Sequence, residues 1–151
     1  RGMTPDPAPL GYPYLIGEAV MDALKAEPGF AGVKLVDNPS KPESISEGKR
    51  LLLFKDAADS LQDQSGNAMD RVFTFQAGAI SRDKQSRKQA HTDYRALKRV
   101  IRDCIKAMTA SGLRITSLVS ETVVSYQLEN LDIGGALVLG TFTVKYRDPT
   151  L

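Results

Sequence analysis

The chain has no tryptophan, a single cysteine and a single histidine among its 151 residues. One cysteine, Cys104, excludes an intramolecular disulfide and a cysteine-based metal cluster, and one histidine, His91, excludes a histidine-rich metal site. Aromatic residues are only 7% of the chain, and nothing in it resembles the aromatic motifs of an RNA-binding sheet or a helix-turn-helix. No apolar run approaches the roughly 20 residues that span a bilayer, so no membrane partner is expected. There is no Walker loop and no GxGxxG motif. The stretch RGMTPDPAPLGYPY is proline-rich and lacks the apolar core of a secretory leader, so a soluble protein made inside the cell is the expectation, and the single cysteine fits a reducing compartment.

What is present is ordinary for a globular domain: 42% hydrophobic residues, 25% charged, and enough length to bury a core. The formal net charge is small, +2, but unevenly placed. Residues 82–106 hold nine basic and three acidic side chains, a net of +6, which leaves −4 for the remainder of the chain (+2 less +6).

Residues 1–12 read as an extended, proline-rich arm and residues 13–151 as one domain. Leu15, Ile16, Ala19, Val20, Ala23 and Leu24 recur at helical spacing, and Pro28 and Gly29 end that helix near Ala26. Gly32–Asp37 and Arg50–Phe54 read as strands. Between Phe54 and the alternating strand Arg71–Ile80 lies the polar stretch KDAADSLQDQSGNAMD, predicted as a sixteen-residue loop. A long helix runs from about Asp83 to Ser111, with Gly112 as its C-terminal cap. ITSLVSETVVSYQL is β-branched and strand-like. After a turn at LDIGG, the closing strand places Val138, Phe142, Val144 and Tyr146 on one face, with Thr141, Thr143, Lys145 and Arg147 on the other. The order α-β-β-β-α-β-β predicts an α+β fold, a mostly antiparallel sheet with one long and one shorter helix on one face.

Catalytic chemistry finds little support. His91 stands alone inside a basic helix, Cys104 falls on that helix's apolar side as an inert thiol, and no enzyme activity or cofactor is expected. The acids Asp56, Asp59, Asp63 and Asp70 do not match a calcium-loop spacing, and they are read as a solvated loop. Gly134-Gly135 has no following helix and reads as a hairpin turn.

The long helix says more. Ala90, Tyr94, Leu97, Ile101, Cys104, Ile105 and Met108 fall within one arc of about 100° and form its core face. Lys84, Lys88, His91, Arg95, Arg99, Arg102 and Lys106 follow one another at spacings of 4, 3, 4, 4, 3 and 4, within an arc of roughly 80°. Asp93 and Asp103 project to either side of this stripe, and the helix holds no Glu to interleave with its cations. Three occupants fit such a stripe: solvent, an acidic protein partner, or a nucleic-acid backbone.

The sequence GYPYLIGEAVMDALKAEPGF, the pair RLLLF and RVFTFQAGAI, the helix ALKRVIRDCIKAM and the closing ETVVSYQLENLDIGGALVLGTFTVKYRDP together resemble the tail terminator and minor tail proteins of long-tailed bacteriophages, the lambda-type terminator among them. The resemblance implies a non-enzymatic virion protein, made in the bacterial host cytoplasm and placed in the tail. It implies a hexameric ring that caps the tail tube and joins the head. The partners it implies are further copies of the chain, the tail tube protein and a head-completion or connector protein, with passing DNA in the lumen. Under it the 55–70 loop reaches a neighbour, the basic stripe faces a subunit or the lumen, and the closing strand leaves a sheet edge for the next protomer. A nucleic-acid-binding module using residues 84–106, and another phage connector or neck protein, are the alternative readings.

Overall fold

The computed structural model describes residues 11–38, 50–65, 68–82, 85–126 and 135–148. Two helices pack on one face of a five-stranded sheet: α1 (Gly11–Ala26), β1 (Lys34–Asp37), β2 (Arg50–Ser65), β3 (Ala68–Ser81), α2 (Ser86–Ala110), β4 (Ser120–Tyr126) and β5 (Ala136–Asp148). The strand order is β1-β2-β3-β5-β4. Only β1 pairs in parallel with its neighbour, β2; the other three pairings are antiparallel. The chain is therefore α+β with the expected element order.

Each helix forms where apolar residues recur on one side. In α1 Tyr12, Ile16, Val20, Met21 and Leu24 are buried, and the helix begins at Gly11 rather than Pro13. A 3-10 turn at Pro28–Phe30 then redirects the chain into β1. In α2 the buried residues are Ala90, Asp93, Tyr94, Leu97, Val100, Ile101 and Ile105. Leu97, Ile101 and Ile105 have no exposure at all, and burying each is worth roughly 1.5–3 kcal/mol. The helix stops at Gly112, whose φ of +97° suits glycine. The Gly112 amide donates to the Thr109 carbonyl (3.1 Å) and the Leu113 amide to that of Met108 (3.3 Å), a Schellman cap. Met108 and Leu113 both pack on the core beside it.

The sheet's core face carries Leu52 and Phe54 from β2, Phe73, Phe75, Ala77 and Ala79 from β3, and Val138, Phe142, Val144 and Tyr146 from β5. Phe75 sits at the centre, stacked against Phe54, Phe73 and Phe142 at centroid distances of 5.3–5.5 Å. At the lower end Tyr12 lies flat on Tyr146, 5.1 Å between centroids and 8° between planes.

Three expectations are corrected. The polar stretch 55–70 is not a loop. β2 continues through it to Ser65, and β3 begins at Ala68, so the two strands pair as one long hairpin from Arg50–Ser81 to Ser65–Ala68. Backbone hydrogen bonds to β3 hold this strand; its side chains from Lys55 to Gln64 are exposed and carry no apolar alternation. Bulges between Asp56 and Ala58 and between Leu61 and Asp63 let it depart from a period of two. Secondly, β5 is not an edge, because β3 and β4 flank it; the margins are β1 and β4. Thirdly, of the strand expected over residues 115–128, the described part is regular at Ser120–Tyr126, with Ile115 making an isolated bridge to Tyr146. Residues 1–10 of the expected arm, and most of the LDIGG turn, lie outside the described residues.

Candidate functional site

The side of α2 that bears the basic stripe does not stand alone in solvent. Between it and β4 runs an open groove of about 1030 Å³, lined among others by His91, Arg95, Lys98, Arg102, Glu121 and Tyr126. β4 can form one wall because it is the marginal strand, and a bulge between Glu121 and Val123 turns the Glu121 carboxylate towards the helix. The Tyr94 hydroxyl donates to Glu121 Oε2 at 2.5 Å, and Lys98 Nζ lies 3.4 Å from the same carboxylate. Burial first, then the hydrogen bond to Glu121, push the Tyr94 phenol far above its ordinary value, so it stays neutral. Gly140 of β5 makes this reach possible. A Cβ there would overlap the Tyr94 hydroxyl and stand 2.8 Å from its Cζ.

The stripe itself divides. Lys84 lies outside the described residues. Lys88, Arg95 and Lys106 are exposed and have no acidic partner among the described residues. Arg99 pairs with Glu27 at 3.0 Å, an acid from the end of α1, and Arg102 lies 3.5 Å from Asp103 on its own helix. His91 is half-buried under Tyr126, their rings 5.4 Å apart and 25° from parallel. Tyr126 is 64% exposed, so this stacked pair forms an accessible aromatic lip at the groove's end. The stripe is uninterrupted along the helix, yet two of its cations meet acids, Arg99 from another element and Arg102 from its own. Glu27 reaches Arg99 as Glu121 reaches neighbouring Lys98, and helical projection cannot show that.

Asp93 is also corrected. Instead of projecting beside the stripe it is 3% exposed and accepts from Arg50 Nε (2.9 Å) and Nη2 (2.8 Å) and from Gln89 Nε2 (2.9 Å). Arg50 also donates to the Gly29 carbonyl at 3.2 Å, so one guanidinium clasps β2, α2 and the turn after α1. Cys104 is half-buried against the core, and burial followed by the charge of Asp22 pushes its thiol up, which suits an inert packing residue.

The four acids read as an interface loop sit on the hairpin, and each has an intramolecular partner. Asp56 accepts from Asn38 Nδ2 at 3.2 Å, while its amide donates to Asn38 Oδ1 at 2.8 Å. Asp59 accepts from the Tyr146 hydroxyl and from Arg71 Nε, each at 2.9 Å. Asp70 is bidentate to Arg147 at 2.8 and 3.1 Å, a hydrogen bond that holds its carboxyl below the usual range. Asp63 accepts from the amide of Gln64 at 2.8 Å, and its charge also acts on Arg147. Among the described residues no three His, Cys, Asp or Glu side chains converge on a metal position, and no helix is long and apolar enough to cross a membrane.

Sequence reasoning missed Lys98, Glu121 and Tyr126 as lining residues. The one sequence signal for Glu121 and Tyr126, the β-branched run that makes 120–126 a strand, does not say which strand lies at the margin, and Lys98 falls just outside the basic stripe on α2. No protein-family model matches the chain, and no curated protein matches it.

Proposed function

We propose that the chain is a ring-forming structural subunit of the phage tail-terminator kind, which caps the tail tube and offers the surface that joins the head. The observation supporting it is a sheet with an unpaired margin on each side. β1 covers β2 only from Leu51 to Phe54, so the outer edge of β2 beyond Phe54 has no strand beside it among the described residues. On the opposite side β4 ends the sheet. An exposed strand edge is a template for pairing with another chain, and two different edges on opposite sides build a head-to-tail contact, the kind that closes into a ring.

Light scattering is expected to give a mass several times the 16.4 kDa of one chain, consistent with a hexamer, and negative-stain microscopy to show annular particles. A single-chain mass across a wide concentration range would refute the reading. A phage connector or neck subunit has the same architecture of assembly, and genes for tail tube or capsid proteins beside this one would locate the role. A nucleic-acid surface is the second reading, favoured by the unpaired Lys88, Arg95 and Lys106 beside the exposed Tyr126. It requires DNA affinity that falls steeply with salt and drops when Arg95, Arg99 and Arg102 are replaced by Ala.

A further inference from the structure

Five large apolar side chains are exposed among the described residues: Tyr14, Leu61, Leu118, Val123 and Tyr126. Four of them lie at the two margins of the sheet. Leu61, 51% exposed, stands on the uncovered part of β2. Leu118 (61%) and Val123 (55%) stand on or just before β4, with Tyr126 at its end. Apolar side chains left on open strand edges mark contact surfaces, because such edges are otherwise protected by charge or cover.

The pairing register puts these margins at matching heights. One row crosses the sheet from Leu61 through Arg71 and Tyr146 to Ile115. Another runs from Asp56 through Phe75 and Phe142 to Glu121. Leu118 lies in sequence between Ile115 and Glu121, so it occupies on one margin the level that Asp56–Leu61 occupies on the other. The charges also complement each other. The β2 margin carries Asp56 and Asp63, with Asp59 already paired to Arg71, against one Lys55, while Arg95 and Arg102 line the groove behind β4 beside the Lys98–Glu121 pair. Asp56, in the Glu121 row, bonds Asn38 but no cation among the described residues, and Arg95 has no acid there.

We propose that a second copy of this chain is the occupant of the β4 margin, and that it docks there with the Asp56–Asp63 edge of its own β2. Leu61 of one subunit then packs against Leu118 of the next, and the Asp56 carboxylate faces the Arg95–Lys98 side of the groove. Within one sheet β2 and β4 run in opposite directions, since each is linked through the antiparallel pairs β2–β3, β3–β5 and β5–β4. Copies related by rotation about an axis near the strand direction therefore bring β2 and β4 together antiparallel, and each subunit uses both margins once. The proposal takes its partner from the ring reading and adds which surfaces meet.

The test is site-specific disulfide crosslinking in the full chain with Cys104→Ser, using Leu61→Cys and Leu118→Cys. Both positions are exposed, so circular dichroism is expected to match the parent. Under mild oxidation the two single variants mixed together are expected to give a crosslinked dimer, each alone only monomer, and the double variant a ladder up to the closed ring. A second pair of variants, Leu61→Asp and Leu118→Asp, is expected to reduce the scattering mass of the parent assembly to that of one chain. Oligomers with no crosslink in the mixture, and with mass unchanged in both Asp variants, overturn this contact while leaving the ring reading intact. Crosslinking of either single variant with itself also overturns it, in favour of a two-fold contact. A parent that is monomeric throughout overturns both.

Discussion

The Arg50–Asp93 clasp gives the sharpest test of how this fold is held. Replacing Asp93 by Ala removes the acceptor of three hydrogen bonds from a site where the carboxylate side chain is 4% exposed. Breaking a buried ion pair from one side costs about 3–5 kcal/mol when the remaining charge is stranded. Here the stranded group is Arg50, whose side chain is 29% exposed and keeps its bond to Gly29, so water recovers part of that loss. The expected cost of Asp93→Ala is therefore about 2–3 kcal/mol, a fall in Tm of roughly 5–10 °C for a chain this long. Arg50→Ala strands the more deeply buried partner with Gln89 as its remaining donor among the described residues, and is expected to cost more, about 3–5 kcal/mol. The double variant should cost less than the two singles combined, by about 1–3 kcal/mol of coupling. Urea unfolding followed by circular dichroism measures all three. Two single variants each within about 1 kcal/mol of the parent, or Asp93→Ala the more damaging of the pair, would refute the burial argument.

Gly140→Ala is expected to lower stability by about 2–4 kcal/mol, because the new methyl displaces Tyr94 from Glu121 and crowds Phe142; an unchanged Tm would show that Tyr94 moves aside freely. Tyr94 and Tyr146 are both held neutral well above the ordinary tyrosine value of 10.0, each mainly by burial and then by a carboxylate partner, Glu121 and Asp59 respectively. A raised folded-state pKa contributes stability that is fully present below the unfolded value and is lost as pH rises through the folded one. Stability should thus be insensitive to these two groups below pH 10 and fall above it, and ultraviolet titration should find two of the five tyrosines ionising only as the protein unfolds. Five tyrosines titrating together near their ordinary value would contradict the burial of both.

Much of the fold was legible because its signals are local. The periodicity of α2 identifies Tyr94, Leu97, Ile101 and Ile105 as core, and Gly112 ends the helix through a backbone conformation that side chains disfavour. The alternation of β5 identifies Val138, Phe142, Val144 and Tyr146 in the same way. The second half of β2 was not legible. Its side chains are exposed, so no apolar period marks it, and only the ladder to β3 makes it a strand. Asp93 was misplaced for a related reason. A charged residue at the edge of a helix's apolar arc looks solvated until a cation from a distant strand, here Arg50, is brought to it.

By itself the sequence determines the α+β class, the element order, the core face of each helix and the existence of a basic stripe, because each follows from spacing between near neighbours in the chain. Only the tertiary structure decides the strand order β1-β2-β3-β5-β4, and with it which edges remain open. It alone brings Glu27 and Glu121 to Arg99 and Lys98, separating paired cations from unpaired ones. It also sets Leu61 level with Ile115 on the opposite margin, close below Leu118 in the chain. Pairing between strands far apart in sequence is a property of backbone hydrogen bonds and a shared core, and residue spacing does not encode it.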